Sequence, residues 1–118
     1  MRASTRARRI SLVIGAVLMG WLLAPGHAYG TLSTYDYVYC GAPKYATMRS
    51  YTAGGVTRHY LANQWPYRLL SVWDDTGSRS WHVHQTYTSL RGSVWQYTTN
   101  DGGTLDGAET YAYCRLWR

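Results

Sequence analysis

The stretch Glu109-Thr110-Tyr111-Ala112-Tyr113-Cys114-Arg115-Leu116-Trp117 alternates residue by residue, as a half-buried β-strand requires. Ala112, Cys114 and Leu116 share one face, and Tyr111, Tyr113, Arg115 and Trp117 share the other. The chain has two cysteines, and the second, Cys40, ends Thr34-Tyr35-Asp36-Tyr37-Val38-Tyr39-Cys40. That stretch repeats the pattern, with Val38 and Cys40 on one face and Tyr35, Tyr37 and Tyr39 on the other. A Cys40–Cys114 bond is therefore expected to clasp the first strand to the last through their less bulky faces. Two rows of tyrosine are then directed away from the bond, and binding through that surface is the functional expectation.

Residues 1–28 read as a secretion signal peptide. Arg2, Arg6, Arg8 and Arg9 form a basic start without acids, and Ile10 to Leu23 is an apolar run. Gly26 and Ala28 then stand at the spacing of a cleavage site. Cleavage is placed after Ala28, with Gly30 as second choice. Ordinary secretion is the expected route; Arg8-Arg9 leaves twin-arginine export as the alternative. The apolar run of about 14 residues falls short of the ~20 that a spanning helix needs, so no stable membrane anchor is expected. The expected location is extracellular.

Residues 29–118 are expected to form one small domain with a tyrosine-rich N-terminal segment. Four of the 12 Lys/Arg residues precede residue 29, so eight remain against six acids, a net charge of +2. That balance gives no reason to expect nucleic acid as a partner. A domain this small often needs a staple, and an exported chain can form a disulfide. Closing a loop of about 75 residues stabilises by roughly 4.5 kcal/mol in the chain-entropy model.

After residue 30 the chain is rich in Tyr, Thr, Val and Trp, and Gly, Asn and Asp recur at short intervals. The expected fold is all-β, a small antiparallel β-sandwich with one disulfide. Residues 29–33 are read as a short arm before the strand Thr34–Cys40. Strands are expected at Lys44–Tyr51, Val56–Leu61, Leu69–Trp73, Ser80–Thr88 and Ser93–Thr99. Turns are expected at Gly54-Gly55, Asp74–Ser78, Leu90–Gly92 and Asn100–Gly103. Ala62–Tyr67, with Trp65-Pro66, is a loop, because proline cannot donate to a central ladder. Thr104–Gly107 is read as a looser segment. Phenylalanine is absent, so tyrosine and tryptophan are expected to fill the aromatic core positions, many of them half-exposed for the sake of their polar tips, and Trp81 and Trp95 are expected in core and cross-strand pairing.

His82-x-His84 is the most suggestive metal pattern, since two histidines at i and i+2 on a strand face the same way. No third ligand is singled out among His59, Asp74, Asp75 and Glu109. The pair is read as part of a polar, solvent-facing strand, and no metal or cofactor is expected. No nucleophile-elbow motif is present, and the six acids offer no distinguished pair for glycoside hydrolysis. No catalytic residue is assigned. The partner-binding candidates are Tyr35, Tyr37, Tyr39, Trp65, Tyr111, Tyr113 and Trp117, with Cys40 and Cys114 as the disulfide.

Arg91-Gly92-Ser93-Val94-Trp95, a Gly-x-x-Trp opening a strand, is followed by Thr104-Leu105, by Glu109-Thr110-Tyr111-Ala112-Tyr113 and by an aromatic near the end, Trp117. His82-Val83-His84 and the turn Gly54-Gly55 precede them. This half of the chain resembles lactococcin 972-type bacteriocins, small secreted β-proteins used between bacteria. The chain is also similar in type to the adaptor subunit of umbrella toxin particles, which joins a lectin subunit to the toxin scaffold. The resemblance implies a secreted, non-catalytic binding protein in interbacterial antagonism. Its partners would be lectin-like and scaffold subunits of a toxin complex, or a component of the target-cell envelope. The alternative is a secreted inhibitor of an extracellular hydrolase acting through Asn63-Gln64-Trp65-Pro66-Tyr67.

Overall fold

The computed structural model describes residues 30–116. The expected signal segment 1–28, Tyr29 and Trp117 lie outside the described residues. The strands are β1 (Thr31–Cys40), β2 (Tyr45–Ala53), β3 (Val56–Leu61), β4 (Arg68–Asp74), β5 (Trp81–Tyr87), β6 (Gly92–Asp101), β7 (Thr104–Leu105) and β8 (Tyr111–Arg115). They build two packed antiparallel sheets. One has the order β1-β6-β3-β4, and the other has β5-β2-β7 with β8 also paired to β2. No helix occurs among the described residues.

The expected arm at 29–33 is not an arm. Thr31, Leu32 and Ser33 already pair with Asp101, Asn100 and Thr99, so β1 starts three residues earlier than its tyrosines suggest. Thr104-Leu105, read as loose, pairs with Thr52 and Ala53 of β2. The last strand starts at Tyr111, because Thr110 is drawn inward to donate its hydroxyl to Asp106 O at 2.7 Å.

Cys40 and Cys114 are bonded, with Cα atoms 5.6 Å apart. Because β1 and β8 belong to different sheets, the bond joins the two layers across one side of the sandwich. On the same side the carboxyl of Asp36 in β1 accepts the Ala112 N–H of β8 at 2.9 Å.

The core divides along the strands. At the disulfide end Cys40, Ala46, Met48 and Val94 are buried, with Val38, Leu61, Leu70 and Leu90 packed against them. Toward the opposite end the inner faces carry Thr52, Thr57, Thr98, His59 and Asn100, all fully buried. Each has a polar partner, as buried polar groups must: Thr98 accepts from Gln96, and His59 meets Ser50 and Thr86. Thr57 donates to Thr52 at 3.0 Å, and Asn100 Nδ2 bonds Thr57 at 2.9 Å and Gly54 O at 3.0 Å. The hairpin turn folds in tightly here. Gly55 has φ 66°, and a Cβ on it would meet Asp101 O at 2.5 Å, so only glycine fits.

The expectation that aromatics fill the core is overturned. The buried apolar residues are Leu32, Cys40, Ala46, Met48, Val94, Leu105 and Ala112, none aromatic. Trp81 and Trp95 are 45% and 44% exposed. Threonine, serine, histidine and apolar side chains fill the inner faces, and most rings stand on the outer ones, with Trp73 turned inward against His59 and His84.

Candidate functional site: an aromatic outer face

In the first sheet, β1 lies antiparallel on β6 with Tyr35 opposite Tyr97 and Tyr37 opposite Trp95. Both pairs are in ring contact, at 4.6 and 4.8 Å between centroids. Tyr60 of β3 extends the cluster to the other side of Tyr97 at 5.6 Å. The loop after β3 brings Tyr67 against Tyr97 at 5.3 Å and Trp65 against Tyr67 at 5.0 Å. The result is one aromatic surface across three strands and a loop. Trp65 is 82% exposed at its tip.

The loop that carries Trp65 is pinned. Asn63 donates its Nδ2 to Ser93 O at 2.8 Å and accepts the Trp95 N–H at 2.9 Å, and Ala62 N bonds Trp95 O at 2.8 Å. Ring hydroxyls tie the surface together laterally. Those of Tyr35 and Tyr67 lie 3.3 Å apart, and that of Tyr37 is 3.1 Å from Ser93 Oγ. Partial burial, then the bond to Tyr67, pushes the Tyr35 hydroxyl up to about 12. It is therefore a neutral donor at any physiological pH.

The charged side chain nearest these rings on the same face is Arg58, two residues before Tyr60 on β3 and opposite Thr99 of β6, and its charge is paired. The nearest ion pair, Arg58–Asp101 at 2.6 Å, sits at the far end of the sheet, where Thr31 also donates to Asp101.

The structure thus brings together Tyr35, Tyr37 and Trp65, with Tyr39 at the same end, 66% exposed. It does not bring Tyr111 and Tyr113 to them. Those belong to β8 of the second sheet, so the two tyrosine rows stand on opposite outer faces and form no single surface. Tyr111 and Tyr113 contact each other at 6.0 Å, and partial burial raises the Tyr113 hydroxyl. Tyr60, Tyr67, Trp95 and Tyr97 complete the first face and were missed. The alternation of Trp95 with Tyr97 was readable; the pairing of β6 with β1 across more than fifty residues was not.

His82 and His84 are not on a solvent-facing strand face; they point inward. His84 Nε2 meets Asp75 Oδ2 at 2.7 Å, and its ring stacks on Trp73 at 4.5 Å. His82 Nε2 lies 3.3 Å from Ser78 Oγ. Among the described residues no group of three His, Cys, Asp or Glu converges on a metal position. His59 was considered only as a ligand; it lies fully buried between Ser50 Oγ and Thr86 Oγ1, each at 2.8 Å. Thr86 donates onward to Ser71 at 2.9 Å, so His59 Nδ1 donates to Thr86 and Nε2 accepts from Ser50. A serine beside an imidazole resembles a nucleophile with its base. Ser50 and His59 are nevertheless both fully buried, out of reach of a substrate.

Comparisons with family models, curated proteins and solved structures return no match.

Proposed function

We propose that this chain is an exported, non-catalytic binding protein of interbacterial antagonism, a bacteriocin-like part or adaptor of a toxin assembly. The observation that carries this reading is the neutral aromatic face built on β1, β6, β3 and the Trp65 loop. Monomeric proteins seldom expose so continuous an apolar patch without a use for it. Tyrosine and tryptophan give large contact area at low entropic cost and tolerate solvent through their polar tips. A face whose one neighbouring cation, Arg58, is already paired with Asp101 matches a largely uncharged, partly apolar surface on another secreted protein, such as the lectin-like or scaffold subunit that the resemblance implies. The disulfide fits an oxidising, extracellular setting.

The test is recovery of the tagged protein from culture medium, wild type against Trp65→Ala with Tyr39→Ala. Both side chains are largely exposed, so stability should change by no more than about 0.5 kcal/mol per site. Loss of the co-purifying partner is expected, and full retention of it would overturn the reading. The pinned Asn63 loop also favours a second reading, inhibition of a hydrolase by a rigid exposed tip. An inhibitor would recover one hydrolase alone, and its loss on Trp65→Ala would restore that hydrolase's activity.

A further inference from the structure

On the side of the sandwich opposite the disulfide, β4 and β5, each the edge strand of its sheet, are bridged by Thr86 on Ser71 and by His84 on Trp73. Beyond these bridges they leave between them a groove of about 440 Å³. Leu61, Leu70 and Leu90 line it together with five hydroxyl or amide side chains, and Arg68 and Tyr87 complete it. Four of the seven basic residues described lie at this end, Arg68 in the groove and the others beside it. The Arg115 guanidinium lies over the Tyr87 ring at 4.6 Å. Arg91 lies over Tyr45 at 4.4 Å and donates to its hydroxyl at 2.9 Å. Lys44 adjoins Tyr45 in sequence. None of these four cations has an acidic partner among the described residues.

The six acids all lie elsewhere. Asp74 ends β4 and Asp75 follows it at the far end, Asp101 pairs with Arg58, Asp36 faces β8, and Asp106 and Glu109 precede β8, Glu109 on Arg49. A guanidinium carries five N–H donors in a fork that recognises carboxylates in pairs, and Arg91 uses one of its donors on Tyr45.

We infer that this groove receives an extended, acidic segment of a partner protein. Apolar side chains of the segment enter on Leu61, Leu70 and Leu90, and its carboxylates meet Arg68, Arg91 and Arg115. The unpaired edges of β4 and β5 offer backbone groups to an added strand. Leucines and hydroxyls beside unpaired cations fit a peptide better than a phosphate polymer, which has nothing to place on leucine. The surface is separate from the aromatic face, so this inference stands or falls independently of it.

The probe is a synthetic peptide of alternating valine and glutamate, about eight residues long, the length of a strand. Its valine–glutamine counterpart and inorganic polyphosphate serve as comparisons. Titration at low salt should show the acidic peptide binding, with amide shifts confined to β4, β5 and Leu90. The glutamine peptide, and the variant Arg68→Glu with Arg115→Glu, should each bind about tenfold more weakly or worse. Trp65→Ala with Tyr39→Ala should leave this binding unchanged. No binding, equal binding of the glutamine peptide, equal competition by polyphosphate, or shifts on the Tyr35–Tyr97 face would overturn the inference.

Discussion

His59 is the residue whose chemistry is most altered by the fold. Its ring is fully buried between two hydroxyls. Burial, and secondarily the nearby His84, lowers its pKa from 6.5 to about 3. The unfolded chain takes up a proton as pH falls through about 6.5, whereas the folded chain excludes it until about 3. The stability that the neutral ring supports is complete above about 6.5 and is lost progressively as pH falls toward 3. Between pH 7 and 4.5 the loss is roughly 2–3 kcal/mol, at about 1.4 kcal/mol per pH unit below 6.5. His59→Gln does not titrate, so although it starts less stable, the gap between its pH 7 and pH 4.5 stabilities should shrink by that amount. Urea unfolding at both values checks this, and an unchanged gap would place the acid sensitivity elsewhere.

At the scale of the element, β1 shows what holds the two layers in register. Two links run from it to β8, the Cys40–Cys114 bond and the Asp36 carboxyl on the Ala112 N–H. Asp36→Ala leaves that N–H without its buried acceptor, which costs about 1–3 kcal/mol. It should also speed hydrogen exchange at Ala112, and unchanged exchange there would deny the link. Cys114→Ser should cost roughly 2–5 kcal/mol by freeing a long loop in the unfolded chain. The staple was legible in the sequence because alternation puts both cysteines on the less bulky face of their strands, and only one pairing exists. The tyrosine row of β1 was legible for the same reason. Its neighbours were not, since strand order depends on pairings between distant segments that periodicity does not encode. The inward turn of His82 and His84 was hidden too. Alternation groups residues into faces without saying which face is inner, and here tyrosine and every tryptophan of β5 and β6 took the outer one while threonine and histidine took the inner.

For the molecule as a whole, the sandwich is covalently closed on one side, whereas the other is bridged only by Thr86 on Ser71 and His84 on Trp73. β1 and β8 are bonded across the layers, whereas β4 and β5 leave the groove between them. Local opening starts where few buried apolar contacts and many exposed backbone bonds coincide. β4 fits that description, with Leu69 and Val72 each 47% exposed and no strand beyond it. β6 lies between β1 and β3, and β2 between β5 and β8, so neither opens without separating a sheet. Native-state hydrogen exchange should therefore find the amides that pair β4 with β3 protected about 100-fold less than those pairing β1 with β6. Reducing the disulfide should lower protection on β1 and β6 while leaving β4 nearly as it was, because β4 already exchanges without unfolding the stapled side. If β4 instead exchanged as slowly as β6 in the intact protein, the bridged side would be as rigid as the stapled one. An added strand would then have no yielding edge to join.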